Sequence, residues 1–473
     1  MKILKYIGAI GIISLLLSSC MVGPKFQKPE VVVPESYQST HVAADSINLR
    51  WWELFNDTIL DTMIVHALEH NKDVLMAAKR IEQARAYHGM TKAEVWPSLT
   101  IQAGAGTGNY LGNGNKATNT SNQFYVTPAL SWELDFWGKY RRLSEAAQAD
   151  LIASEFGMRS LQISLIADVA RLYFELLDYQ KRLTIAEKTL ALRQNSLDII
   201  RLRFDNGIIP EIDLNQAEAQ WAVAAAAIPS YERQVAQTGY ALSILLGENP
   251  ISFTLEATLS DEIITPEIPT DLPSDLLKRR PDISQAEAIY HAQNAQVGAA
   301  VAARFPSFSL TGILGVASNE LSSLTTGGLA WSASAGLLSP IFEFGKNKRR
   351  VEVERKKAEE MLINYESVVI QALRDVEEAL NNIRTLKDEL AAREIYFTAT
   401  NNASKLSVLR YDKGVTSYLE VLETQRSAFE AELGLTQTEQ ELCSSYVALY
   451  KALGGGWLSA EEENQAQQDA QQK

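Results

Sequence analysis

Cysteine is nearly absent from this chain: 473 residues hold two, Cys20 and Cys443. Cys20 closes a leader with a basic start, an apolar stretch from Ile7 to Leu17 and the small pair Ser18-Ser19. If it is modified, Cys443 has no partner, which excludes a disulfide framework. Cys443 lies on a helix-periodic segment and reads as a small packed residue. The apolar stretch of the leader is too short to span a bilayer, so 1–19 reads as a cleaved signal peptide. Basic charge is also scarce, with 44 Lys and Arg against 58 Asp and Glu and a net charge of −14. That balance becomes −16 once Lys2 and Lys5 leave with the leader, and it excludes a nucleic-acid partner, which needs a concentrated basic face. No Ser/His/Asp constellation or paired-carboxylate site stands out, so the chain reads as a passive device with no catalytic residues and no cofactor.

Proline is missing from Lys139 to Phe204, where Gly157 is the one glycine. Such a run predicts a helix of about 100 Å at about 1.5 Å per residue, far beyond a globular element, and indicates a coiled-coil-like part. It ends at Asn206-Gly207-Ile208-Ile209-Pro210, and a returning helix runs to about Leu246. Before it, Leu60 to Val95 carries apolar residues at spacings of three and four and reads as one amphipathic helix, stopped by Trp96-Pro97. Stacked end to end on the returning helix, it would make up the length that helix lacks.

Between these helices, residues 98–136 alternate. Phe124, Val126, Pro128, Leu130 and Trp132 fall on one face, and Tyr125, Thr127, Ala129, Ser131 and Glu133 on the other. Leu99, Ile101 and Ala103 oppose Thr100, Gln102 and Gly104 in the same way. One apolar face and one small polar face mark transmembrane barrel strands with a wet interior.

The plan then recurs. Gly138 and Gly345, Asp168 and Asp375, and Gly207 and Gly414 are each 207 positions apart; Pro97 and Pro306 are 209 apart. Landmarks held in register over this length indicate a duplicated half. The second copy predicts a helix over 275–304, strands near 306–317 and 328–343, a helix from Lys346 to Asp412, a turn at Lys413-Gly414 and a returning helix to about Leu453. The resulting domains are 1–19 signal peptide, 20–56 N-terminal tether, 57–246 first repeat, 247–273 irregular equatorial linker, 274–455 second repeat and 456–473 disordered tail. The fold class is mixed α and β, with four transmembrane strands per chain. Four strands cannot close a barrel, and an open edge in lipid costs several kcal/mol per unpaired group, so other copies must complete it. Two copies would give eight strands and three would give twelve.

Leu272-Pro-Ser-Asp-Leu-Leu-Lys-Arg-Arg-Pro-Asp282, Phe305-Pro-Ser-Phe-Ser-Leu-Thr-Gly312, Trp96-Pro97-Ser98 and the paired glycine turns closely resemble the TolC-like outer-membrane factors of tripartite efflux systems. The pattern resembles in particular the lipoprotein branch that includes OprM and NodT. Leu17-Ser18-Ser19-Cys20 likewise resembles a bacterial lipobox, which implies lipidation of Cys20. The resemblance implies a homotrimer with a twelve-stranded barrel in outer-membrane lipid and a long helical tunnel across the periplasm. A periplasmic adaptor and an inner-membrane transporter of RND type would feed it. It also implies that Glu420 and Glu423, six and nine positions after Gly414, form a constricting acidic ring, with Asp213 as the first-half counterpart and Gln216 breaking the pair there. Tyr411 matches a latch position that Phe204 fills in the first half without a hydroxyl. Gly207-Ile208 and Gly414-Val415 would meet the adaptor, and Pro97 and Pro306 mark the helix-to-strand junctions. The alternative reading is a lipid-anchored periplasmic scaffold that does not conduct; lipid-facing Phe124, Leu130 and Trp132 speak against it. Three further patterns read as structural. They are His66-Ala-Leu-Glu-His70, which fits a zinc-protease spacing, the glycines of 104–108, and the basic run from Lys346 to Lys357.

Overall fold

The computed structural model describes residues 21–31, 34, 50–108, 121–251, 255, 277–326 and 329–455. The signal peptide and Cys20, much of the tether, the segment between the first two strands, most of the linker and the tail lie outside these residues. The chain folds into two compact units, each drawing on both halves of the duplication.

The first unit, from residues 1–30, 79–155 and 285–367, holds four antiparallel strands in the order β1 (Ser98–Gly108), β2 (Ser121–Leu134), β3 (Ser307–Ser318) and β4 (Leu329–Leu338). Residues directly opposite share a face, and the register sorts the alternation the same way across all four strands. Leu99 faces Leu130, Trp132 faces Leu310, and Leu314 faces Trp331. Leu99, Leu314 and Trp331 on this face are exposed. The other face carries Thr100, Gln102, Tyr125, Ser131, Ser309, Thr311 and Ser334, with Thr311 and Ser334 hydroxyls 2.5 Å apart. Gly104 lies under the Tyr125 ring, where an added Cβ would meet the ring at 2.5 Å. The glycines of 104–108 thus belong to a strand. β4 ends at Leu338, short of the expected 343, because Pro340 has no N–H for the ladder and holds Ser339 out of it.

Both junction prolines are fixed by indoles. Trp132 Nε1 donates to the Val95 carbonyl at 3.0 Å, just before Trp96-Pro97; Trp137 Nε1 donates to the Pro306 carbonyl at 2.8 Å and stacks on Phe305. The basic run beyond β4 opens a helix and pairs along it, as in Arg349 with Glu352 and Lys356 with Glu359.

The second unit is helical. The helices of the chain are α1 (Thr58–His70), α2 (Lys72–Ala93), α3 (Lys139–Asp205), α4 (Glu211–Leu245), α5 (Pro281–Ala302), α6 (Lys346–Asp412) and α7 (Tyr418–Ala452). α3 and α6 have 67 residues each, and α4 and α7 have 35 each, so the duplication keeps helix length to the residue. α4 runs through Pro229 without ending; Ile228 and Tyr231 on either side pack against Ile185 and Phe429. The core of this unit joins Leu60, Ile64, Tyr173, Leu176, Leu242, Ile383, Tyr446 and Tyr450, each side chain contributing about 1.5–3 kcal/mol by its burial. Trp51 lies flat on Tyr450 at 5.4 Å, pinning the chain just before α1. Cys443 is buried there, and burial pushes its thiol up to about 12.

Two expected helices are interrupted. The single helix over 60–95 is α1 and α2, broken at Asn71, whose extended backbone (φ −60°, ψ 129°) cannot continue a helix. Its side-chain oxygen accepts from the Asp73 and Val74 amides at 2.9 and 3.2 Å and starts α2, while its amide donates to the Leu245 carbonyl at 2.9 Å. The helix over 275–304 begins instead at Pro281. Proline favours the first helical position and forces Arg280 out of helical backbone, which separates α5 from the helical residues 277–279.

Arg280 occupies the place that Asn71 has in the first half. Its guanidinium donates to the Ala452 carbonyl at 3.0 Å, the repeat equivalent of Leu245, and grips both Asp282 oxygens at 3.1 and 2.6 Å. Asp375 stands 3.4 Å away. Burial alone would lower the guanidinium's hold on its proton, but the Asp282 bonds and the Asp375 charge raise it. Each half thus joins one helix end to the next through a side chain on a last-turn carbonyl. In one half that side chain is neutral, in the other charged.

Candidate functional site: the hairpin tips

The site lies in the second unit, where α3 turns into α4 and α6 into α7. The two turns share one backbone. Ile208 N–H donates to the Arg203 carbonyl and Val415 N–H to the Arg410 carbonyl, each at 2.9 Å; Gly207 and Gly414 bond back three residues at 2.8 and 2.9 Å. Both glycines have φ +70°, and a Cβ on either would meet nothing within 4 Å. Glycine is needed at these turns for its left-handed backbone alone. Pro210 and Ser417 then begin the returning helices with near-identical dihedrals and no side-chain cap.

The tips present apolar side chains outward. Ile208 is 70% and Val415 66% exposed, flanked by exposed Leu202, Ile212 and Leu419. Beneath them the hairpins hold each other through one small core of Leu197, Ile200, Ala217, Tyr418, Val421 and Leu422, with Tyr411 and Trp221 packed on its edge. Tyr411 is a crossing point: its ring lies 5.3 Å from that of Tyr418, and the Arg203 guanidinium caps it at 4.9 Å. Burial pushes the Tyr418 hydroxyl up to about 12, and the neighbouring Tyr411 and Asp213 act in the same direction.

Glu420 and Glu423 stand on the first turns of α7. Each is charge-compensated within the chain, a feature absent from the sequence reading. Glu420 accepts from the Thr416 hydroxyl and sits 3.4 Å from Arg410; Glu423 pairs with Arg426, which also reaches Glu430 at 3.6 Å. Arg426 was legible as an i,i+3 partner. Arg410 was not, because it reaches Glu420 across the turn. Asp213 is half-buried on the first turn of α4 beside Tyr418.

The His66/His70 pattern lies elsewhere in this unit. The rings stack at 4.2 Å and 18° from parallel, with His66 Nε2 3.0 Å from Glu248 and His70 Nδ1 3.0 Å from the His66 carbonyl. Lone pairs in nearly parallel planes run side by side and do not converge on one ion. Among the described residues no group of three or more His, Cys, Asp or Glu is placed to hold a metal.

A duplicated chain with a four-stranded sheet, apolar on one face, and paired long helical hairpins has clear relatives. The family model described as Outer membrane efflux protein matches residues 63–248 and 272–455, one segment in each half. The Cation efflux system protein CusC of Escherichia coli O6:H1 is 32% identical over 452 residues, covering 94% of this chain and 97% of CusC. The Toluene efflux pump outer membrane protein TtgF of Pseudomonas putida is 34% identical over 466 residues, covering 94% and 96%. The solved structure of the outer-membrane channel OprN superposes with a TM-score of 0.86 at 29% identity, covering 93% of this chain and all of that one. The chain therefore belongs to the outer membrane efflux protein family, the TolC-like outer-membrane channels of tripartite efflux systems.

Proposed function

We propose that three copies of this efflux channel close their sheets into one barrel and gather their hairpin tips into a periplasmic aperture. Glu420 and Glu423, with Asp213, set the width of that aperture, and Tyr411 latches it. The reading rests on one observation above others. The two tips share a single small core, in which Arg203 of the first hairpin caps the Tyr411–Tyr418 pair of the second and Leu197 and Ile200 pack with Val421 and Leu422, so a shift of one hairpin must disturb the other. The Arg410 and Arg426 pairs refine the acidic ring: opening exchanges these partners for water or a cation.

The exposed apolar tips at Gly207-Ile208 and Gly414-Val415 are the surface for a periplasmic adaptor, and an inner-membrane transporter of RND type supplies the energy. Cys20 carries the lipid that holds the chain to the outer membrane. The relatives CusC and TtgF are named for a cation and for toluene, which supports a reading in which the transporter selects the cargo and the channel is permissive.

Single-channel conductance in planar bilayers tests the aperture. Glu420→Ala/Glu423→Ala is expected to enlarge the small cation-selective steps of the wild type. Steps of unchanged size would move the gate away from these residues, and silence from correctly assembled oligomers of both proteins would overturn conduction itself.

A further inference from the structure

Residues 21–30 lie against the first unit along a defined track. Val22 N–H donates to the Trp137 carbonyl at 3.1 Å, and Met21 lies against Gly138, the residue that leads into α3. Gly23 then crosses α5 at Gly298 so closely that a Cβ on Gly23 would stand 2.5 Å from the Gly298 Cα. Gly298 is itself closed from another side by Arg142, whose Nε would lie 2.8 Å from a Cβ there. Three residues on, Phe26 stacks on His291 at 4.2 Å and leans on Tyr290 at 5.7 Å. Lys28 pairs with Glu287 at 2.6 Å.

The contacts close into a loop. His291 Nε2 is 3.2 Å from Glu145, and Glu145 holds the buried Arg142 at 2.8 Å, the same Arg142 that backs Gly298. The spacing of the segment matches that of its track. From Gly23 to Lys28 an extended chain covers about 16 Å at ~3.1–3.3 Å per residue, and from Gly298 to Glu287 α5 covers about the same at ~1.5 Å per residue. Pro24 and Pro29 stiffen the segment and reduce the entropy lost on docking. Gly23, at φ +96°, supplies the bend that only glycine takes readily.

We infer that this track is a dock for the chain's own N-terminal segment, which anchors Met21 and Val22 beside the end of β2, at the rim where the strands leave the membrane. It rests on the reading of Cys20 as the lipid-bearing residue: docking fixes the height at which the acyl chains enter the bilayer relative to the barrel strands. Gly298 and Phe26 are its determinants. An undocked segment would let the lipid insert without bringing the strands to the membrane surface.

The experiment uses the full-length protein expressed in cells, then purified in detergent and treated with trypsin. Lys25 is an exposed target held in a docked segment, while Pro29 blocks cleavage after Lys28. Phe26→Ala and Gly298→Val are each expected to speed cleavage after Lys25 at least ~10-fold, with helical content unchanged, because a protease needs its site released from the fold. Both variants are also expected to lower several-fold the share of chain recovered from the outer membrane as SDS-resistant oligomer. Phe26→Ala alters the strap alone, so it carries the test if Gly298→Val, which also strikes Arg142, fails to fold. Unchanged cleavage in Phe26→Ala would overturn the dock. Faster cleavage with undiminished oligomer would overturn its role in placing the anchor. Cys20→Ser separates the two readings: full assembly without the thiol would refute the lipid reading while faster cleavage in Phe26→Ala still supported the dock.

Discussion

Replacing Arg280 with alanine should loosen one helix end far more than the equivalent change at Asn71. Arg280 makes a bidentate grip on Asp282, a bond to the Ala452 carbonyl and a contact with Asp375. Charge-assisted bonds contribute about 1.5–3 kcal/mol each. Here Asp282 and Asp375 are about one-third exposed, 32% and 33%, and water would replace the guanidinium on both. The uncompensated loss is the Ala452 carbonyl and the packing of the buried stem, about 2–3 kcal/mol. Asn71→Ala removes two neutral cap bonds and one bond to Leu245, about 1–2 kcal/mol. Hydrogen exchange by mass spectrometry reads both sites locally, without requiring reversible unfolding of the whole channel. Arg280→Ala should speed exchange in peptides spanning 446–455 and 281–290 by roughly 30- to 150-fold, at 1.4 kcal/mol per tenfold change. Asn71→Ala should act on the peptides around 72–78 and 240–247 by a smaller factor. Arg280→Lys, which keeps charge without the fork, should fall between wild type and alanine. A rise below threefold in Arg280→Ala, or an equal effect from lysine and alanine, would refute the argument that the fork holds this junction.

Gly414→Ala and Gly207→Ala should each destabilise their tip by about 1–2 kcal/mol, the cost of left-handed backbone for a residue with a Cβ, and Gly→Asn by less. Exchange of the 410–417 amides measures this, and equal protection in alanine and wild type would contradict the backbone assignment. Tyr418 gives a pH prediction. An unfolded tyrosine loses its proton near 10, while folded Tyr418 keeps it to about 12, so the unfolded state is favoured progressively as pH rises from 10 to 12 and by about 2–3 kcal/mol at the upper end. Below pH 10 its contribution is intact. Tyr418→Phe should make tip exchange less sensitive to pH over this window and leave the tyrosinate absorbance at pH 11 almost unchanged; a loss of one full tyrosinate signal would show that the hydroxyl titrates normally.

The helices and strands were legible wherever side-chain periodicity alone decides. The alternation of Phe124 to Trp132 gave the apolar face, and the proline-free run from Lys139 gave α3 to within a residue of its end. The break at Asn71 was not legible, because His70-Asn71-Lys72 falls within an unbroken apolar period and the amide's reason for leaving the helix is a carbonyl 174 positions away. Pro281 did announce a helix start, but the preceding Leu-Leu-Lys-Arg carries enough helical pattern to mask it. At the tips the acids and the turn glycines stood out, while Arg410, Arg203 and Tyr418, which give those acids and Tyr411 their surroundings, are set by packing across the second turn and, for Arg203, between the two hairpins. The docking of the tether was not legible, because its contacts depend on Gly298 and His291, and neither pattern signals a partner.

The equal lengths of α3 and α6, and of α4 and α7, bear on how the two halves could diverge. Inserting one residue into such a helix turns everything beyond it by about 100° and advances it about 1.5 Å, which would carry Tyr411 or Glu420 away from its neighbours. Residue identity has been free to drift, as Phe204 and Tyr411 or Asn71 and Arg280 show, while helix length has not. From junction proline to turn glycine the two halves do differ, by the two positions that separate the offset of 209 at Pro97 and Pro306 from 207 at Gly138 and Gly345. Gains and losses of sequence are thus admitted between the strands and refused by the helices, and a peptide tag or foreign epitope belongs in the segment joining β1 to β2.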